Sequence, residues 1–117
     1  MSGRARSDTR VYRPPAPGPR LRVLAGPPGE AGREFALDGP MVTIGRRPDQ
    51  RIVLSDPSVS RSHARVEVGA WGVAIVDLGS TNGTEVNGHR LRDGRAVLRG
   101  GDRIRLGTVL LEFLAAR

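Results

Sequence analysis

From residue 21 onward the chain consists of short apolar runs broken by Gly, Pro, Asn or Asp roughly every 8 to 12 residues, a rhythm typical of the strands of a sandwich or barrel. Arg65-Val66-Glu67-Val68 and Arg103-Ile104-Arg105-Leu106 alternate polar and apolar positions. A period of two turns Val66, Val68, Ile104 and Leu106 toward a core and their neighbours toward water. Residues 73–76 and 109–111 are continuously apolar, which predicts central strands covered on both faces. Further strands are predicted over residues 21–25, 33–37, 41–45 and 51–54. Asn87-Gly88 supplies the pair of left-handed positions that a two-residue hairpin between Val86 and His89 needs. Asp93-Gly94 and Gly100-Gly101 mark two more turns, no run supports a long helix, and no internal repeat is visible. The pattern predicts an all-β, antiparallel sandwich of short strands with binding loops at one end.

Residues 1–20 break this rhythm. They carry Arg4, Arg6, Arg10, Arg13 and Arg20 against the single Asp8, with Pro14, Pro15, Pro17 and Pro19 closely spaced and little to bury. Such a segment cannot offset its ordering entropy, so a disordered basic and proline-rich arm is expected before a sandwich domain spanning residues 21–117. The arm's net charge is 5 − 1 = +4, which leaves 7 − 4 = +3 of the chain's +7 for the rest. The domain itself is only mildly basic. With 117 residues, the chain has room for one core and not for two.

Composition then removes several kinds of chemistry. Cysteine is absent, so disulfides, thiolate nucleophiles, zinc fingers and iron–sulfur clusters are excluded. All 19 basic residues are Arg, which rules out a Walker-type phosphate lysine and a Schiff base. Arginine does supply planar forks suited to phosphate or carboxylate. Two histidines with scattered carboxylates offer no ligand run for a metal, and no cofactor motif is present. No stretch of about 18 apolar residues occurs, and Met1 leads into a polar segment. Neither a membrane span nor a secretion signal is therefore expected, and the predicted location is cytoplasmic.

Polar residues outside the strands gather in three places. Gly45-Arg46-Arg47-Pro48-Asp49 follows one strand, residues 55–63 (SDPSVSRSH) precede another, and Leu78-Gly79-Ser80-Thr81-Asn82-Gly83-Thr84 forms the third. Loops joining sandwich strands collect at the two ends of the sheets, so three of them can converge on one patch. Guanidinium, hydroxyl and carboxamide groups would meet there, the inventory for holding a tetrahedral anion beside an extended peptide backbone.

These residues resemble the forkhead-associated (FHA) domain family, whose members are phosphothreonine-peptide-binding β-sandwiches of about this size. The resemblance covers residues 21–117 and is carried by Gly45-Arg46, by Ser60-Arg61-Ser62-His63 for the family's Ser-x-x-His, and by Ser80-Thr81-Asn82-Gly83-Thr84 followed by Val86-Asn87-Gly88. It implies that Arg46 and Ser60 bind phosphate, with Arg61 and Thr81 as additional contacts and Asn82 as a clamp on the peptide backbone. Gly45, His63 and Gly83 are implied to be architectural. The implied function is an adaptor in Ser/Thr kinase signalling, with phosphothreonine-containing proteins as partners. The position two before Ser60, which in some relatives selects the third residue after the phosphothreonine, is the uncharged Ser58. An apolar preference there is therefore expected over an acidic one.

Three competing readings come from the same residues. His63 with Asp56, Asp77 or Asp102 suggests a Ser-His hydrolase, but no Gly-x-Ser-x-Gly elbow exists, so the chain is expected not to be an enzyme. The Arg-rich arm suggests electrostatic nucleic-acid binding. Yet the only aromatics are Tyr12, Phe35, Trp71 and Phe113, a poor stacking platform for single strands. Finally, Thr9 in the arm, if phosphorylated, offers a ligand for the chain's own pocket.

Overall fold

The computed structural model describes residues 18–91 and 94–116, which are all-β with no helix. Eleven strands follow in order: β1 (Arg20–Ala25), β2 (Glu34–Ala36), β3 (Met41–Gly45), β4 (Ile52–Val53), β5 (Ala64–Gly69), β6 (Gly72–Asp77), β7 (Thr84–Val86), β8 (His89–Arg90), β9 (Arg95–Val97), β10 (Arg103–Leu106) and β11 (Val109–Leu114). They form a six-stranded sheet in the order β2-β1-β11-β10-β7-β8 and a five-stranded sheet in the order β4-β3-β5-β6-β9. All pairs are antiparallel except β3 with β4. That parallel pair corrects the purely antiparallel expectation. Residues 46–51 loop back outside β3, so the chain re-enters the sheet edge running in the same direction.

Alternation sets the inner faces. Leu21 and Val23 of β1, Val42 and Ile44 of β3, Ile104 and Leu106 of β10, and Val109, Leu111 and Phe113 of β11 are buried. The residues of β1, β10 and β11 from one sheet and those of β3, with Val66 of β5 and Ile75 of β6, from the other share one core, and burial of these aliphatic faces is the main force holding the layers together. Val66, Ile104 and Leu106 face inward as their period predicts, and Val68 is half-buried against the same core.

The two continuously apolar runs differ from expectation. β6 buries Val73, Ala74 and Ile75 in succession, but it lies next to the edge of its sheet. β11 is central, yet it alternates, with Leu110 only half-buried on the outer face. Being apolar on both sides does not bring a second covering layer in a two-layer sandwich.

The predicted hairpin forms with Asn87 at φ 52° and Gly88 at φ 83° between the paired Val86 and His89. Asn87 also donates from Nδ2 to Asp102 Oδ1 at 3.0 Å and accepts the Arg103 N–H at 2.9 Å. This ties the hairpin to the turn before β10. Gly94 and Gly101 adopt φ 78° and 92°, as their predicted turns require. The arm residues before Gly18, Thr9 included, lie outside the described residues.

Candidate functional site

Strand direction places the β3–β4, β4–β5, β6–β7 and β10–β11 connections at one end of the sandwich. Residues 18–19 and the β5–β6 and β9–β10 turns lie at the other. The first three connections carry the three polar blocks seen in the sequence, and the structure brings them together.

β3 ends in a close approach of two backbones. Gly45 is buried, and a Cβ there would collide with the carbonyl oxygen of Arg61. Two backbone bonds stitch the loops immediately after it: the Arg46 N–H donates to the Ser60 carbonyl at 3.0 Å, and the Arg47 N–H to the Arg61 carbonyl at 3.3 Å. The Arg46 side chain donates through Nε to the Val59 carbonyl at 2.9 Å. This fixes the guanidinium plane while leaving both Nη groups without a protein partner among the described residues. The Arg61 side chain is exposed on the same loop, and Arg47 is paired with Asp49 at 3.0 Å.

Ser60 joins the second and third loops. Its hydroxyl accepts the Thr81 N–H at 3.0 Å, which leaves its own proton available to donate. Its backbone N–H donates to His63 Nδ1 at 3.0 Å. Because Nδ1 accepts, the neutral ring carries its proton on Nε2 and donates it to the Gly83 carbonyl at 3.0 Å. His63 is fully buried, and burial lowers its pKa below the ordinary 6.5, only partly opposed by the Gly83 carbonyl and by Asp77. The ring is therefore a neutral strut between two loops. Neither ring nitrogen contacts Ser60 Oγ, so the arrangement a hydrolase would need is not formed.

The β6–β7 loop is organised by Asp77, a role that sequence reasoning missed. Its Oδ2 accepts the N–H groups of Gly79 at 3.0 Å and Ser80 at 3.1 Å. Its Oδ1 accepts the Ser80 hydroxyl at 2.6 Å and the Thr84 hydroxyl at 2.7 Å. Burial pushes this carboxyl up, but the bonds from Ser80, Thr84 and Gly79 outweigh it and hold its pKa below the ordinary 3.8. The only local signal was an Asp followed two and three residues later by Gly and Ser, the pattern of an Asx-turn.

Thr81 and Asn82 are exposed at the tip of this loop, and Asn82 donates from Nδ2 to the Ser58 carbonyl at 2.9 Å, leaving Oδ1 unclaimed among the described residues. Gly83 is buried at φ 83°, with the Arg90 guanidinium lying where a side chain would be.

The resulting patch is an open rim rather than a cavity. Among the described residues, grooves lie elsewhere: one of about 410 Å³ beside β4 lined by Arg33, Phe35 and Arg51, one of about 440 Å³ around Trp71 at the opposite end, and one of about 250 Å³ between Arg20 and Leu37. The rim exposes guanidinium, hydroxyl and carboxamide groups, while the nearby carboxylates of Asp56 and Asp77 are occupied by internal hydrogen bonds. The Nη groups of Arg46 and the exposed Arg61 give it charge-assisted donors for an anion.

Comparison with known proteins agrees with this geometry. The family model described as FHA domain matches residues 42–107. The oxoglutarate dehydrogenase inhibitor of Corynebacterium glutamicum is 40% identical over 114 residues, covering 97% of this chain and 77% of that protein. Among solved structures, Mycobacterium tuberculosis EmbR in complex with a low-affinity phosphopeptide superposes with a TM-score of 0.77 at 32% identity, over 86% of this chain and 25% of that one. A further FHA domain, solved in a study of phosphothreonine-dependent interactions, gives a TM-score of 0.73 at 31% identity over 82% of this chain and 94% of that one. With its three loops stitched at one rim and a family match across more than half its length, this chain belongs to the FHA domain family.

Proposed function

We propose that this chain is a non-enzymatic reader of phosphothreonine-containing proteins, acting as an adaptor in Ser/Thr kinase signalling in the cytoplasm. The observation that carries the reading is the convergence on Ser60: Arg46 bonds to its carbonyl and Thr81 to its hydroxyl. One dianion can thus meet the Nη groups of Arg46, the Ser60 hydroxyl and the side chains of Arg61 and Thr81. Charge-assisted bonds from a preset fork supply most of the affinity. Asn82, one residue beyond Thr81, aligns the extended backbone that carries the phosphate. Relatives named as an inhibitor of oxoglutarate dehydrogenase and as the glycogen accumulation regulator GarA support a regulatory rather than catalytic role. Nucleic-acid binding has less support, since Phe113 is buried, Phe35 lies beneath Arg33 and Trp71 sits at the other end of the sandwich.

Fluorescence anisotropy with degenerate phosphothreonine, phosphoserine and unphosphorylated peptide libraries tests the proposal. The phosphothreonine library should bind best, and Arg46→Ala should weaken it by about 2 to 5 kcal/mol, roughly thirtyfold or more. Equal binding of all three libraries by the native protein would refute it.

A further inference from the structure

Ser58 has no charge to offer a ligand, and its hydroxyl is fully engaged within the protein. It donates to Asp56 Oδ1 at 2.6 Å and accepts the Thr108 N–H at 2.9 Å. With its proton committed to Asp56, it also accepts the Thr108 hydroxyl at 3.0 Å. One donor and two acceptor sites exhaust what a hydroxyl has. The Ser58 N–H donates to the same Asp56 oxygen at 2.9 Å. These bonds hold the Asp56 carboxyl below its ordinary pKa of 3.8, Ser58 contributing most. From the other sheet, the β10–β11 turn presses against this residue so closely that a Cβ on Gly107 would strike the Ser58 carbonyl oxygen. Ser58 is thus clamped from both sheets, and its carbonyl is the acceptor that holds Asn82 Nδ2 at 2.9 Å.

A surface Asn turns freely about its last torsion, which is broad and two-fold. Held by Ser58, the carboxamide of Asn82 keeps one orientation, with Nδ2 inward and Oδ1 toward the rim. We propose that Ser58 is a positioning residue: Asp56 and the Gly107–Thr108 turn lock its hydroxyl, and its carbonyl presets Asn82 for the ligand backbone. The proposal rests on the phosphopeptide reading above. It assigns Ser58 and Thr108 a part in backbone recognition without requiring that either touch the ligand.

The test is a double-mutant cycle on the full chain. A phosphothreonine peptide is titrated against the native protein, Ser58→Ala, Asn82→Ala and the double variant, and the Asn82 side-chain amide is followed by ¹⁵N NMR without ligand. Ser58→Ala should weaken peptide binding about threefold to tenfold, the scale of ordering one side chain. It should cost nothing further in the Asn82→Ala background, and it should move the Asn82 Nδ2 resonance toward that of a free carboxamide. Binding of inorganic phosphate, which has no backbone to clamp, should be unchanged. If Ser58→Ala does not fold, Thr108→Val removes one of the three hydroxyl bonds and should give a smaller loss with the same non-additivity. Losses that add to those of Asn82→Ala would mean a direct ligand contact and overturn the proposal, as would an unmoved Asn82 resonance. If the native protein binds no phosphopeptide, the functional reading fails while the resonance still decides whether Ser58 holds Asn82.

Discussion

The backbone N–H of Ser60 donates to Nδ1 of the buried His63 at 3.0 Å. The residue at the centre of the rim therefore depends on a ring that must stay unprotonated at that nitrogen. Protonation would set two donors against each other at a fully buried ring.

Stability should consequently fall in mild acid. Burial lowers the folded pKa of His63 below 6.5, so the unfolded chain takes up a proton first as pH drops. The folding free energy declines below about pH 6.5 and levels off only once the folded ring also protonates. Urea unfolding between about pH 7.5 and 5.5 should show this, with a flatter dependence in His63→Gln. Stability that rises toward acid in the native protein would contradict the tautomer assigned here. Unfolding is the cleaner readout, because a bound phosphate ester itself titrates near pH ~6.

Asp77 is expected to be the costliest polar residue of the site. Asp77→Ala removes the acceptor of four hydrogen bonds from Gly79, Ser80 and Thr84. Thr84 is 1% exposed, so its hydroxyl would be left buried without this partner. A loss of about 2 to 4 kcal/mol in chemical denaturation is anticipated, since bonds to a charged acceptor are worth ~1.5 to 3 kcal/mol each and part is recovered from water. Peptide affinity should drop with it, because Thr81 and Asn82 stand on this loop. The carboxylate's own contribution is present above its unfolded pKa of 3.8 and is lost as pH falls through its lower folded value.

Gly45→Ala separates steric fit from backbone freedom. Gly45 is not among the residues with positive φ, so alanine carries no conformational penalty there, yet its methyl would meet the Arg61 carbonyl. Overpacking of this kind costs about 1 to 3 kcal/mol. Separating the β3–β4 and β4–β5 loops should also weaken phosphopeptide binding at temperatures where the variant stays folded. Wild-type affinity in folded Gly45→Ala would show that the stitching of Arg46 to Ser60 is not needed.

Removing residues 1–17 takes away Arg4, Arg6, Arg10, Arg13 and Asp8, a net charge of 4 − 1 = +3. The shortened chain should keep its phosphopeptide affinity within about twofold while losing weak, salt-sensitive attraction to polyanions. Titrations at low and moderate salt distinguish the two effects. A large loss of peptide binding would place part of the recognition in the arm.

Both the sandwich and the family were legible in the chain because local rules set them. Alternation at 65–68 and 103–106 and the Asn87-Gly88 turn act over a few residues, and each survives as predicted, while the three polar blocks are each short and readable by their order along the chain. The parallel β3–β4 pair and the half-exposed outer face of β11 were not legible. Sheet position follows from where distant strands close, and an apolar run reads the same whether one face or two are covered.

The amino-acid order alone determined which chemical groups the site would own and excluded lysine and cysteine chemistry. Only the tertiary structure decided what those groups are doing. It gave His63, expected to be architectural, its place as a neutral strut between two loops, made Asp77 the anchor of a loop, and tied Ser58 inward to Asp56 and Thr108 across the two sheets. A hydroxyl or a ring nitrogen takes its role from the partner that folding brings within 3 Å. Those partners lie up to 50 residues away along the chain.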